Sequence, residues 1–164
     1  MYINNINMAE NKEIKNVFVS HYHEDEDNIK IFKGLLNDSY CIKNYSVTSD
    51  KFNNAKNEDY IKYGYLKPLI NQSRTLVCLI GPNTHDSKWV VWDIREAERL
   101  DKQIIGVFIQ GAKDSDIPPA LEEFADAIVG WNTDNIEKAL EGESIFVKSD
   151  GSPRTSVTKG RGVC

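Results

Sequence analysis

Two short runs in this chain are apolar almost from end to end: Thr75–Ile80 reads TLVCLI and Gln103–Ile109 reads QIIGVFI. A strand with one face in water alternates apolar and polar residues. A strand that is apolar throughout has to be covered on both faces, which is the situation of a parallel sheet between two helical layers. The rest of the pattern agrees. Asn16–Ser20 (NVFVS) is a short β-type run, and Asp27–Leu36 places Ile29, Phe32, Leu35 and Leu36 at helical spacing. Tyr45–Val47 reads as a weak strand. Asn57–Asn71 reads as a helix through Ile61, Tyr65 and Leu69, with Pro68 expected to kink it or end its regular part. Helices are expected at Ser87–Leu100, at Pro118–Phe124 with proline in the first turn, and at Asn135–Leu140. Ala127–Val129 reads as a short last strand. The β-α alternation repeats about five times, which predicts an α/β fold: an open parallel sheet of about five strands with helices on both faces. In such sheets ligands bind beyond the carboxyl ends of the strands. The loops that matter are then Ser20–Asp27, Thr48–Glu58 and Gly81–Trp89.

A length of 164 residues suits one domain with a core of its own. The polar, Asn-rich residues 1–13 read as a flexible arm and residues 14–141 as the domain. Residues 142–164, rich in Ser, Thr and Gly, read as a flexible tail with a short extended piece at Ser144–Lys148. The formal net charge of -5 argues against a nucleic-acid or membrane-surface footprint, which needs a basic face. No run of about 18 apolar residues predicts a membrane span. The N-terminal stretch has no apolar core of the kind a signal peptide carries. Three cysteines without C-x-x-C spacing read as reduced thiols in a cytoplasmic protein.

Several chemistries common on this architecture are missing their motifs. No G-x-G-x-x-G follows a strand, and there is neither a G-x-x-x-x-G-K-[ST] nor a G-x-S-x-G. A phospho-receiver would need an aspartate at the tip of the strand that instead ends Leu79-Ile80-Gly81-Pro82. His21-Tyr22-His23-Glu24-Asp25 has an H-x-H-x-D spacing that suggests a metal. With His85 as the one further histidine, the better reading is a polar loop at the sheet edge with no metal, where His21 touches a ligand. The acidic run Glu24–Asp27 is expected to favour the positive N-terminus of the helix that follows.

The segment Asp86-Ser87-Lys88-Trp89-Val90-Val91-Trp92-Asp93-Ile94 is the most informative. Ser87 or Asp86 is placed to cap a helix, and Val90, Ile94 and Ala97 form its apolar stripe. Asp93 lies at the edge of that stripe, with Trp89 one turn earlier on the same side. A carboxyl group there is partly desolvated, which raises its pKa and marks a site candidate. An aspartate that simply serves the helix dipole remains the alternative. Glu96 is turned about 60° away on the helical wheel and ranks second. Trp92 points nearly opposite the stripe, as a surface or self-association residue would.

On these residues the chain resembles the TIR and TIR-like superfamily, in particular the bacterial TIR-like proteins of Thoeris-type anti-phage defence. The matching pieces are Val17-Phe18-Val19-Ser20 with Asp25, Leu66-Lys67-Pro68-Leu69-Ile70 with Ser73, the strand Leu76–Gly81, Ser87-Lys88-Trp89-Val90 with Asp93-Ile94, and Lys102-Gln103-Ile104-Ile105-Gly106-Val107. The resemblance implies a flavodoxin-like (TIR-like) sheet. It also implies chemistry on NAD as substrate rather than as cofactor: cleavage of the nicotinamide–ribose bond to give an ADP-ribose-type signal, in some members cyclic, for a partner effector. In active members a glutamate on this helix contacts the ribose, and the matching residue here is Asp93, one methylene shorter. By the same resemblance Asp93 is the expected catalytic residue, with Ser20, His21, Tyr22 and Trp89 around the substrate. His21, Lys56, Lys88 and backbone amides are the candidates to offset the phosphates.

The aspartate in place of glutamate also motivates a second reading, a non-catalytic module that acts by assembly. A third is a nucleotide-processing enzyme of deoxyribosyltransferase type, which shares the architecture. Self-association is expected under the first two: the resemblance implies enzymes that often complete their site through neighbouring subunits, and the module would act by assembling through its helices and the loop after the second strand.

Overall fold

A computed structural model describes residues 6–7, 12–44 and 64–154. Its centre is a six-stranded sheet. β1 (Ile6–Asn7) pairs antiparallel with the start of β2 (Lys12–Ser20). β2, β3 (Tyr40–Asn44), β4 (Thr75–Ile80), β5 (Gln103–Phe108) and β6 (Ala127–Val129) are parallel, in the spatial order β3-β2-β4-β5-β6. This is the flavodoxin-like order, and its switch point, where the winding reverses, lies between β2 and β4. The helices are α1 (Asp27–Leu35), α2 (Lys67–Gln72), α3 (Lys88–Arg99), α4 (Pro119–Phe124) and α5 (Thr133–Leu140).

The sheet separates two cores because successive strand side chains point to opposite faces. Phe18, Cys78, Ile80, Ile104 and Phe108 face α2, α3 and α4, and meet Ile70, Val90, Ile94 and Leu121. Val17, Val19, Val77, Leu79, Ile105 and Val107 face α1 and α5, and meet Ile29, Phe32 and Ile136. All six residues of β4 are buried, as its uninterrupted apolar run requires. α3 begins at Ser87, whose Oγ accepts the Val90 amide at 3.3 Å. α5 begins in the same way at Asn132, whose side chain accepts the Asn135 amide at 3.0 Å.

Several expectations shift. β2 starts at Lys12 rather than Asn16, because β1 and β3 occupy both of its edges there and pair its polar residues. The second parallel strand is Tyr40–Asn44. Its buried Tyr40 and Ile42 alternate with less buried neighbours, as on an edge strand; Tyr45–Val47 and the loop Thr48–Glu58 with Lys56 lie outside the described residues. Pro68 does interrupt the regular part of its helix. It stands in the first turn of α2, directly after a π turn at residues 64–66, so the regular α-helix begins at the proline's end of the segment, as a proline that interrupts the regular part requires. The first part of the helix expected over Asn57–Asn71 also lies outside the described residues.

The domain does not end at 141. Ile128 N donates to Ile145 O at 2.8 Å and Val147 N donates to Ile128 O at 2.9 Å, so the chain runs parallel alongside β6. Val147 is buried, while Phe146 packs on one core and Ile145 on the other. The Ser149 amide and hydroxyl both bond the Asp114 carboxylate, at 2.8 and 3.0 Å, and Arg154 pairs with Glu122 at 3.1 Å. The extended piece at Ser144–Lys148 is therefore part of the fold, and residues 142–154 are tied down rather than a free tail. Residues 155–164 are not among those described. No helix among the described residues is long and apolar enough to cross a membrane.

Candidate active site at the switch point

Ser20 is the last residue of β2 and pairs across the sheet with Cys78 of β4. Both belong to the face that α3 covers, and α3 carries Asp93 over them. Ser20 Oγ donates to Asp93 Oδ2 at 2.8 Å, a contact between residues 73 apart in sequence, with both partners buried. Asp93 is only 5% exposed, and its Oδ1 is buried without a hydrogen-bond partner among the described residues. Burial pushes its carboxyl up to about 8, and the Ser20 hydroxyl pulls it back only in part. Cys78 beneath them is fully buried, and its thiol is driven upward by burial first and by Asp93 and Asp25 second. It is a packing group rather than a nucleophile.

The two loops at the switch point are tied together. Thr84 Oγ1 donates to Leu79 O at 3.2 Å and accepts the Gly81 amide at 2.8 Å, which closes the turn after β4. Asn83 Nδ2 donates to Glu24 Oε2 at 3.3 Å, joining that turn to the loop after β2. His21 Nδ1 sits 3.2 Å from Val19 O. A carbonyl only accepts, so the proton is on Nδ1 and Nε2 is left as an acceptor. Burial lowers the His21 pKa, against the opposing Val19 bond, so the ring is neutral near pH 7.

The other expected residues are less intimately placed. Tyr22 is half-buried and stacks on His23, ring centres 4.2 Å apart. Trp89 is half-buried against the α3-side core, with the Lys88 ammonium 5.5 Å above its ring. Trp92 is not the free surface residue its wheel position suggested, for it too packs partly into that core. Glu96 is no spare carboxylate, because the Arg99 guanidinium holds it, Nε to Oε1 at 3.0 Å. Asp25 was missed. Its position before a helix suggested a partner for the helix dipole, yet it is 8% exposed and burial raises its pKa. An open groove of about 420 Å³ lined by Lys102, Gln103 and Asp126 lies at the amino ends of β5 and β6, away from this site. Among the described residues no cluster has the make-up of a metal site.

The family model for "Thoeris protein ThsB, TIR-like domain" matches residues 18–114, more than half of the chain and the part that carries Ser20 and Asp93. The chain belongs to the Thoeris ThsB TIR-like family. Among curated proteins, this ThsB-type domain is 24% identical over 131 residues to "Putative cyclic ADP-D-ribose synthase TIR2" of Cytobacillus dafuensis. The alignment covers 77% of this chain and 34% of that protein, so the chain spans about a third of the relative's length. Among solved structures, the CMP N-glycosidase BcmB of Clostridium botulinum aligns over 77% of this chain and 98% of that one, with 16% identity and a TM-score of 0.45.

Proposed function

We propose that this domain cleaves NAD at the nicotinamide–ribose bond and releases an ADP-ribose-type signal, linear or cyclic, for a downstream effector. The observation that carries the reading is Asp93: a buried carboxyl group at the switch point, held by Ser20 through one oxygen, with the other oxygen free of partners among the described residues. Membership of the ThsB TIR-like family and the name of the Cytobacillus dafuensis relative support the same chemistry.

The reaction follows from the charges. When the C1′–N bond breaks, its electron pair goes to the pyridinium nitrogen and neutralises the ring, and the positive charge passes to the ribose. A fixed carboxylate beside C1′ stabilises that developing cation. Free Asp93 holds its proton near neutral pH, since burial raises its pKa to about 8. The cationic nicotinamide ring favours the ionised form on binding, so substrate entry and proton loss go together. Ser20 donates to the carboxylate and supports it. Water, or a nucleophile within the ADP-ribose, then attacks C1′ and gives up a proton. Ser20, His21, Tyr22 and Trp89 are the residues proposed around the substrate. No group other than NAD is required. The effector and self-association belong to the same proposal.

The test is to incubate the pure protein with NAD and to follow nicotinamide and ADP-ribose products by mass spectrometry, over a range of protein concentrations that promotes assembly. Asp93→Ala should lower nicotinamide release by at least about a hundredfold with the melting transition intact. Wild-type turnover in that variant would remove Asp93 from the mechanism. The shorter side chain where the family has glutamate favours an assembly module as the second reading. Absence of product at every assembled concentration would select it.

A further inference from the structure

Asp25 is the buried acid at the switch point that the reaction above does not use. It closes the short helical turn His23–Asp25 after β2, and its side chain crosses to the end of β4. There it lies on the backbone of Gly81: a Cβ added at residue 81 would fall 2.2 Å from Asp25 Oδ2 and 2.7 Å from its Cγ. The bare backbone of Gly81 is what admits the carboxylate. Once there, Oδ2 is buried and has no hydrogen-bond partner among the described residues. A buried polar atom left unsatisfied costs stability, and its persistence at a sheet's binding edge calls for a ligand. His21 belongs to the same loop after β2, ahead of the turn that Asp25 closes. With its proton on Nδ1, His21 keeps Nε2 as a second acceptor in that loop.

Two acceptors in one loop at the switch point, one of them a carboxylate, suit a group that carries two donors. A ribose hydroxyl offers one. A primary carboxamide offers two N–H bonds from a single nitrogen, and on a pyridinium ring it also brings positive charge toward the carboxylate.

We propose that Asp25, seated on Gly81 and aided by His21, reads the carboxamide of the nicotinamide leaving group and so determines which pyridine nucleotides the site accepts. This deepens the reading given above and rests on it. Asp93 serves the ribose side of the scissile bond, and Asp25 the pyridine side. A nucleotide with a ring carboxylate in place of the amide would set like charges together, and one with an acetyl group would leave both acceptors unpaired. Sites built to bond an N–H or O–H discriminate strongly against analogues that lack it.

The probes are NAD, its 3-acetylpyridine analogue and nicotinic acid adenine dinucleotide. Binding is measured by calorimetry on Asp93→Asn protein, in which the cleavage step is disabled, and kcat/KM on protein with Asp93 intact. The expected result is a preference for NAD over each analogue of at least about tenfold, in binding and in kcat/KM. Asp25→Ala should shrink that preference to within about threefold. It gives up the Thr84 bond to the carboxyl but also removes a buried oxygen that has no partner, so the melting temperature should change little. Gly81→Ala keeps the carboxylate but displaces it, and should lose the preference in the same way. Equal binding of NAD and the acetyl analogue, or a full preference surviving in folded Asp25→Ala, overturns the assignment while leaving NAD cleavage standing. An intact, Asp25-dependent binding preference without any nicotinamide release does the reverse: it upholds the reader and sinks the proposed reaction.

Discussion

At the scale of the single residue, Asp93 sets the pH behaviour of the fold as well as its chemistry. Folding moves its pKa from the ordinary 3.8 to about 8 because burial penalises the charge. The folded state therefore holds the proton more tightly than the unfolded chain does. The stability this contributes is complete below the unfolded value and disappears as pH rises through the folded one. The melting temperature should thus fall between about pH 4 and about pH 8 and level off above that, and Asp93→Asn, which cannot ionise, should flatten that fall. At the alkaline end the variant should melt at least about 2 °C above the wild type although it is inactive. Parallel pH profiles for the two proteins would show that Asp93 does not titrate as described. Ser20→Ala removes a bond that favours the carboxylate, so it should push the midpoint of the wild-type fall to still higher pH. Asp93 was legible in the sequence as an acid at the rim of an apolar stripe. Its bond to Ser20 was not, because nothing local relates two residues that only the strand order brings together. Asp25 was misread for the same reason: its neighbour Gly81 belongs to another strand's end.

At the scale of the element, legibility followed burial. Thr75–Ile80 and Gln103–Phe108 were plain because both of their faces are covered, so no polar residue interrupts them. Tyr40–Asn44 was passed over because an edge strand buries only alternate residues, and Lys43 and Asn44 blur its end. How closely the layers pack is tested at a glycine. A Cβ on Gly106 of β5 would lie 2.7 Å from Leu121 Cδ2 of α4, and Leu121 is fully buried in the α3-side core. Gly106→Ala should therefore push α4 outward and cost about 1–3 kcal/mol in urea unfolding. Gly34 of α1 is the contrast. It is exposed, nothing lies within 4 Å of its added Cβ, and it sits inside a helix. Gly34→Ala should stabilise by about 0.5–1 kcal/mol. If both substitutions changed stability in the same direction, close helix–sheet contact at Gly106 would not be what distinguishes them.

At the scale of the whole molecule, the question is where the folding unit ends. Composition placed the boundary at 141 because the following residues are small and polar with no periodic apolar pattern. The three apolar residues Ile145, Phe146 and Val147 outweigh that composition, since β6 is only three residues long and leaves Ile128 with backbone groups to satisfy. The segment supplies both partners, through Ile145 O and Val147 N, and adds apolar cover to each core. Cutting the chain after residue 141 should therefore cost about 3 kcal/mol or more, from lost burial of three side chains together with two stranded backbone groups. Hydrogen exchange locates the effect: the Ile128 amide should be protected in the full chain and lose that protection in the shortened one. The segment lies beside β6, at the far edge of the sheet from β3, whereas Ser20, Asp25 and Asp93 gather where β2 and β4 end. Below its lowered melting temperature the shortened protein should therefore keep the same kcat/KM per folded molecule. An unchanged melting temperature and unchanged exchange at Ile128 would put the end of the unit back at 141. Lost turnover in protein shown to be folded would mean that the β6 edge and the switch point communicate, which their separation across the sheet gives no reason to expect.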